Sequence, residues 1–118
     1  MTVVPGQYNI TIYQGSNFSQ ELTFLQSAGG APLDLTGLAV RMQIRKTKAA
    51  SAVMIELTTA NGRLVSGGAL GTVTMQLNAE ETATLKSNGF YDVEVVYGPT
   101  SVERWLEGEV TVELEVTR

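Results

Sequence analysis

The chain has no cysteine, no histidine, three prolines and one tryptophan among its 118 residues. Without cysteine there is neither a disulfide framework nor a thiolate metal site. Without histidine, acid–base chemistry near neutral pH would fall to carboxylates, lysine or tyrosine. No apolar run approaches the roughly 18 residues of a membrane-crossing helix, so no membrane span is expected. The opening Met1-Thr2-Val3-Val4-Pro5 lacks a basic stretch followed by an apolar one, and no secretory signal is read there.

What the chain does have is alternation. Tyr8-Ile10-Ile12, Leu38-Val40-Met42-Ile44, Val73-Met75-Leu77, Tyr91-Val93-Val95-Tyr97 and Val110-Val112-Leu114-Val116 are each interleaved with mostly polar residues. Strand side chains point to opposite faces in turn, so this pattern describes half-buried strands. About nine short antiparallel strands are expected, near residues 7–13, 18–24, 38–45, 53–57, 64, 71–77, 90–97, 102–107 and 109–117. The last two are read as divided at Gly108. Strand number and turn spacing indicate an all-β sandwich but leave a small barrel open. With 43% hydrophobic and 17% charged residues, the composition is that of one globular domain over residues 1–118. Residues 1–6 and 117–118 are candidate arms for assembly.

Punctuation is supplied by Gln14-Gly15-Ser16-Asn17, by the loop at residues 27–32, by Asp34-Leu35-Thr36-Gly37, and by the tight-turn dipeptide Asn61-Gly62, which should return the chain as a short strand at Leu64. The one helix signal is Asn78-Ala79-Glu80-Glu81, a capping-box pattern predicting a helix near residues 79–86 that stops at Asn88-Gly89. Gly67-Gly68-Ala69-Leu70-Gly71 leads into a strand and has no following Lys-Ser/Thr, so it reads as a turn rather than a phosphate cradle.

Candidate chemistry is sparse. Asp34 is a turn-former, and Asp92 an outward strand residue facing solvent or a cross-strand cation. No loop has the oxygen density of a calcium site, and Asn9-Ile10-Thr11 and Asn17-Phe18-Ser19 are chance-level glycosylation sequons. No cofactor, metal or catalytic residue is assigned, and the chain is not read as an enzyme. The formal charge of −4 is unevenly spread: Arg41, Arg45, Lys46 and Lys48 cluster, and Glu103, Glu107, Glu109, Glu113 and Glu115 crowd the end. This balance argues against nucleic acid, but it would let a basic edge of one copy meet an acidic edge of another. Arg41, Arg45, Glu107 and Glu109 are therefore interface candidates. Trp105 joins them. Alternation places it on the outer face with Glu103, where a neighbour's arginine could stack on it, unless a bulge turns it inward. Together with Tyr97 and Tyr13, an outward Trp105 would also suit a sugar ring, giving a carbohydrate-binding module as a competing reading.

Tyr8-Asn9-Ile10-Thr11-Ile12-Tyr13-Gln14-Gly15, Asp34-Leu35-Thr36-Gly37 and Val40-Arg41-Met42-Gln43-Ile44-Arg45 resemble segments of small virion proteins of tailed bacteriophages and prophages. So do Ile55-Glu56-Leu57-Thr58-Thr59, Asn61-Gly62-Arg63-Leu64, Leu77-Asn78-Ala79-Glu80-Glu81-Thr82, Phe90-Tyr91-Asp92-Val93-Glu94 and Leu106-Glu107-Gly108-Glu109-Val110-Thr111-Val112. The start is also similar to the N-terminal β-domain of phage upper-baseplate proteins. The resemblance implies an immunoglobulin-like or related β-sandwich present in several copies. It further implies a tail or baseplate adaptor or fibre-attachment domain of the virion, assembled in the bacterial cytoplasm and partnered by other virion proteins. A capsid decoration protein of the same fold is the alternative. Copy number separates the two, about a dozen or fewer for a closed tail ring against hundreds for a shell.

Overall fold

The computed structural model describes residues 6–25 and 30–118. Residues 1–5 of the expected assembly arm and residues 27–29 of the expected loop lie outside the described residues. In chain order the strands are β1 (Gly6–Gln7), β2 (Ile10–Tyr13), β3 (Phe18–Thr23), β4 (Ala39–Arg45), β5 (Ile55–Thr58), β6 (Leu64–Ser66), β7 (Thr72–Leu77), β8 (Gly89–Gly98) and β9 (Ser101–Glu113). A 3-10 turn (Gly68–Leu70) precedes β7 and a short helix α1 (Ala79–Ala83) follows it. The strands form a six-stranded sheet, β1 and β2 beside β9, then β8, β4 and β5, and a three-stranded sheet, β3-β7-β6. The fold is a β-sandwich. No described helix is long and apolar enough to cross a membrane.

The alternation does what it promises through the middle of each sheet. Ile10, Ile12, Val40, Met42, Ile44, Leu57, Val93, Val95, Val110 and Val112 of the large sheet face Leu64, Val73, Met75 and Leu77 of the small one, all buried. Leu35 and Leu85, from the connections, are fully covered. Each such side chain contributes about 1.5–3 kcal/mol relative to exposure.

The departures occur at the ends and at the joints. Tyr97 and Leu114 continue an apolar alternation yet are 41% and 63% exposed: Tyr97 lies at the hairpin end of β8, and Leu114 follows the last residue of β9. Val53 is likewise exposed, and β5 begins two residues later. The expected first strand is two strands, with Tyr8 exposed rather than inward. At the joint the Asn9 side chain, in place of a backbone carbonyl, accepts the Glu109 N–H at 3.0 Å. Conversely, Gly108 does not divide the last segment; β9 runs straight through it for 13 residues. A Cβ at Gly108 would collide with the Tyr8 carbonyl, so this glycine admits the neighbouring backbone rather than ending the ladder.

Two pairings correct the antiparallel expectation. β1 and β2 lie parallel to β9, from Gly6 opposite Leu106 to Tyr13 opposite Glu113. A parallel pair needs a long crossover; here the turn after β2 sends the chain to the other sheet, and the intervening domain is the crossover. Asn61-Gly62 behaves similarly. Gly62 has φ +78° as a tight turn demands, but it carries the chain from β5 in one sheet to β6 in the other instead of closing a hairpin. Asn61 organises this corner by accepting the N–H groups of Thr58 (2.9 Å) and Arg63 (3.0 Å).

The capping box is present: Asn78 Oδ1 accepts from Glu81 N (2.8 Å), and Glu81 Oε1 accepts from Asn78 N (2.9 Å). The Asn78 N–H holds the Glu81 carboxyl below its ordinary range against the opposing effect of burial, with Arg63 adding to the lowering. The helix ends at Ala83, earlier than expected, because Thr84 and Leu85 tighten into i→i−3 bonds that bury Leu85; Gly89 belongs to β8. Thr82, fully buried, donates to the Ser16 carbonyl (2.8 Å) and accepts from Gly15 N (3.0 Å), tying α1 to the β2–β3 turn.

Candidate interaction surfaces

The outer face of the large sheet carries most of the charged side chains singled out above. Strand register arranges them in rows. Glu56, Gln43, Asp92 and Glu107 lie side by side across β5, β4, β8 and β9; the next row is Thr58, Arg41, Glu94 and Arg104. The first row sets the carboxylates of Asp92 and Glu107 directly opposite each other, an unfavourable cross-strand pair. Arg104 relieves it from the second row, with Nε 3.4 Å from Asp92 and Nη1 3.3 Å from Glu107. Lys48 reaches Glu107 at 3.4 Å, Arg41 pairs with Glu94 at 2.9 Å, and Gln43 donates to Glu56 at 2.7 Å.

These contacts set the ionisation of the face. Burial and the neighbouring Glu94 raise the Asp92 carboxyl above its ordinary value, only partly opposed by Arg104. Hydrogen bonds from Arg104 and then Lys48 lower Glu107. Arg45 is a loop pin: its guanidinium donates to the carbonyls of Ala50 (2.7 Å) and Ser51 (2.9 Å) and to Gln43 Oε1 (2.7 Å). A shallow depression of about 380 Å³ lies over this network, lined by four cations (Arg41, Arg45, Lys48, Arg104) and four carboxylates (Glu56, Asp92, Glu94, Glu107).

The arrangement sets Arg41, Arg45, Lys48 and Glu107 around one depression of the same chain. There Lys48 pairs with Glu107 and Arg41 with Glu94, while Arg45 is engaged by carbonyls and Gln43. Glu109 stands apart, exposed and opposite Phe90, with its backbone N–H held by Asn9. Sequence reasoning did not single out Glu56, Glu94 or Arg104 because their roles depend on strand register.

Trp105 is not an outward contact residue; it is 2% exposed. The β8–β9 ladder slips where Val93 faces Leu106 and Glu94 faces Arg104, leaving Trp105 as the extra residue of a bulge. Two consecutive side chains, Trp105 and Leu106, therefore point into the core. The indole meets Phe24 edge-on at 5.0 Å and lies 6.3 Å from Tyr97. Burial and the Glu103 carboxylate push the Tyr97 hydroxyl up to about 12.

A sugar platform built on Trp105, Tyr97 and Tyr13 is not assembled, since the indole is covered and the tyrosines sit toward opposite ends of β9. Asp34 acts as the turn-former expected of it, accepting the Thr36 N–H at 2.9 Å; hydrogen bonds from the Thr36 hydroxyl and N–H lower its carboxyl. The sequon residues Asn9 and Asn17 are both engaged, Asn17 accepting from Ala79 N at 3.0 Å.

The exposed apolar side chains are distributed along the molecule. Tyr97 and Val102 mark the tip of the β8–β9 hairpin, while Tyr13, Leu114 and Val116 mark the far end of β9. Thirteen residues of strand span ~40 Å at ordinary rise, comparable with the 45 Å long axis of the molecule. No protein-family model matches the chain, and no curated protein matches its sequence.

Proposed function

We propose that this chain is a non-enzymatic structural component of a tailed-bacteriophage virion, a tail or baseplate adaptor or fibre-attachment domain acting in several copies through protein–protein contacts. The resemblance of its segments to phage and prophage virion proteins supplies the class. The observation that carries the mode of action is the placing of exposed apolar side chains at both ends of β9, Tyr97 and Val102 at one and Tyr13, Leu114 and Val116 at the other. A block with two different adhesive ends makes head-to-tail contacts, which close into a ring when the rotation permits. The broad charged face between them is satisfied within the chain and contributes little attraction of its own.

Mass spectrometry and electron microscopy of purified virions test the class: the chain is expected in a tail-associated ring, and its absence from particles would overturn the reading. Native mass spectrometry tests the mode. Val102→Ser at one end, or Leu114→Ser at the other, should each dissociate the oligomer while leaving the circular dichroism spectrum unchanged.

A further inference from the structure

Among the described residues β5 is the outermost strand of the large sheet, paired with β4 on one side. Thr59 donates to the Val40 carbonyl opposite it at 3.0 Å. Leu57 and Thr59 therefore turn their backbone groups toward β4, while Glu56 and Thr58 turn theirs outward. Outward-facing groups of this kind are the template on which another strand adds. Here two of them are already occupied. The Asn61 amide donates from Nδ2 to the Glu56 carbonyl (3.0 Å) and accepts the Thr58 N–H at Oδ1 (2.9 Å). Arg63 adds a second donor to the Glu56 carbonyl at 3.0 Å.

We propose that Asn61, backed by Arg63, is an edge plug: its side chain stands in for a neighbouring strand and keeps two copies of the chain from pairing β5 to β5. The two bonds of the amide are those that one residue of a parallel neighbour would make, to the carbonyl of Glu56 and the N–H of Thr58. The plug is itself held in place. The Asn61 N–H bonds to Thr58 Oγ1 (2.9 Å). Gln76 of β7 clips the corner, with its N–H on the Arg63 carbonyl (2.9 Å) and its side chain on the Gly62 carbonyl (3.0 Å). The Arg63 guanidinium is fixed in turn by Glu81 of α1. A backbone partner reaching Glu56 and Thr58 would only replace bonds already made, so strand addition gains nothing there. Without Asn61 those groups need a partner, and a second copy can supply one about a two-fold axis. This inference does not depend on the virion reading, which places its contacts at the ends of β9.

Amide exchange of the full chain tests the plug first. The Thr58 amide should exchange at least about tenfold more slowly than an unprotected one, and free exchange there would overturn the proposal whether or not any variant folds. Asn61→Ala, with Trp105 emission reporting the fold, should speed Thr58 exchange about tenfold at low concentration. As concentration rises it should form dimers by sedimentation velocity, and Thr58 exchange should slow again. Parent and variant are compared in a Leu114→Ser background, so that contacts through the end of β9 do not mask the new one. Adding Thr58→Pro removes an outward N–H yet is tolerable on an edge strand, and it should return Asn61→Ala to the mass of its parent. An Asn61→Ala chain that folds with Thr58 exchange unchanged, one that keeps its parent's mass at every concentration, or one whose association survives Thr58→Pro would each overturn the proposal.

Discussion

The hydroxyl of Tyr91 donates a hydrogen bond to the carbonyl oxygen of Tyr8, joining β8 to the joint between β1 and β2 at the point where Gly108 of β9 lets that backbone approach. Tyr91 is buried, and this carbonyl satisfies its hydroxyl. Burial is also what raises its hydroxyl pKa. Tyr91→Phe should cost about 0.5–1.5 kcal/mol, the net contribution of one hydrogen bond. Gly108→Ala should cost at least as much, because the new methyl and the Tyr8 carbonyl cannot share one position. Urea unfolding of the two variants, with the slope unchanged, measures both.

Trp105 fills the space under Phe24 and Tyr97, and Trp105→Ala should destabilise the domain by about 3–5 kcal/mol. As the only tryptophan, it also serves as its own probe. Its emission should be blue-shifted and poorly quenched by acrylamide in the native state, and it should not respond saturably to polysaccharides.

The outer face should respond to pH in two opposing ways. Asp92 has a folded pKa above its ordinary 3.8, so its ionisation opposes folding at neutral pH, and that penalty fades as pH falls through the raised value. Asp92→Asn should therefore stabilise the protein at pH 7, by less than about 1 kcal/mol for so exposed a group, and lose that advantage below about pH 3.8. Glu107 has a folded pKa below its ordinary 4.5; its contribution is present above that value and is lost as pH falls through the lowered one. Unfolding of wild type, Asp92→Asn and Glu107→Gln across a pH series from neutral to acid would separate the two.

The α1 anchor ranks two further substitutions. Asn78→Ala removes one cap and should cost about 0.5–2 kcal/mol. Thr82→Val keeps the volume but removes the hydrogen bonds to the Ser16 carbonyl and from the Gly15 N–H, at about 0.5–1.5 kcal/mol for each bond lost. Thermal denaturation should place Thr82→Val below Asn78→Ala.

Much of this was legible in the residues. The sandwich follows from period-two alternation, the Asp34 turn from aspartate's affinity for nearby N–H groups, and the capping box from Asn78 and Glu81. Trp105 was not, because a one-residue bulge reverses a side chain's face and the bulge arises from β8–β9 pairing. The charged face was not either. Arg41 meets Glu94 across 53 positions of chain, and Lys48 meets Glu107 across 59, distances only strand order can close.

By itself, then, the sequence determined which segments would be strands, where most turns fall and which side chains seek burial, since these depend on neighbours a few residues away. The tertiary structure decided that β1 and β2 run parallel to β9, that Asn61-Gly62 crosses between sheets, and that Lys48 pairs with Glu107 and Arg41 with Glu94 on one face. Those outcomes belong to contacts between distant segments, whose register is chosen by the packing of the whole core.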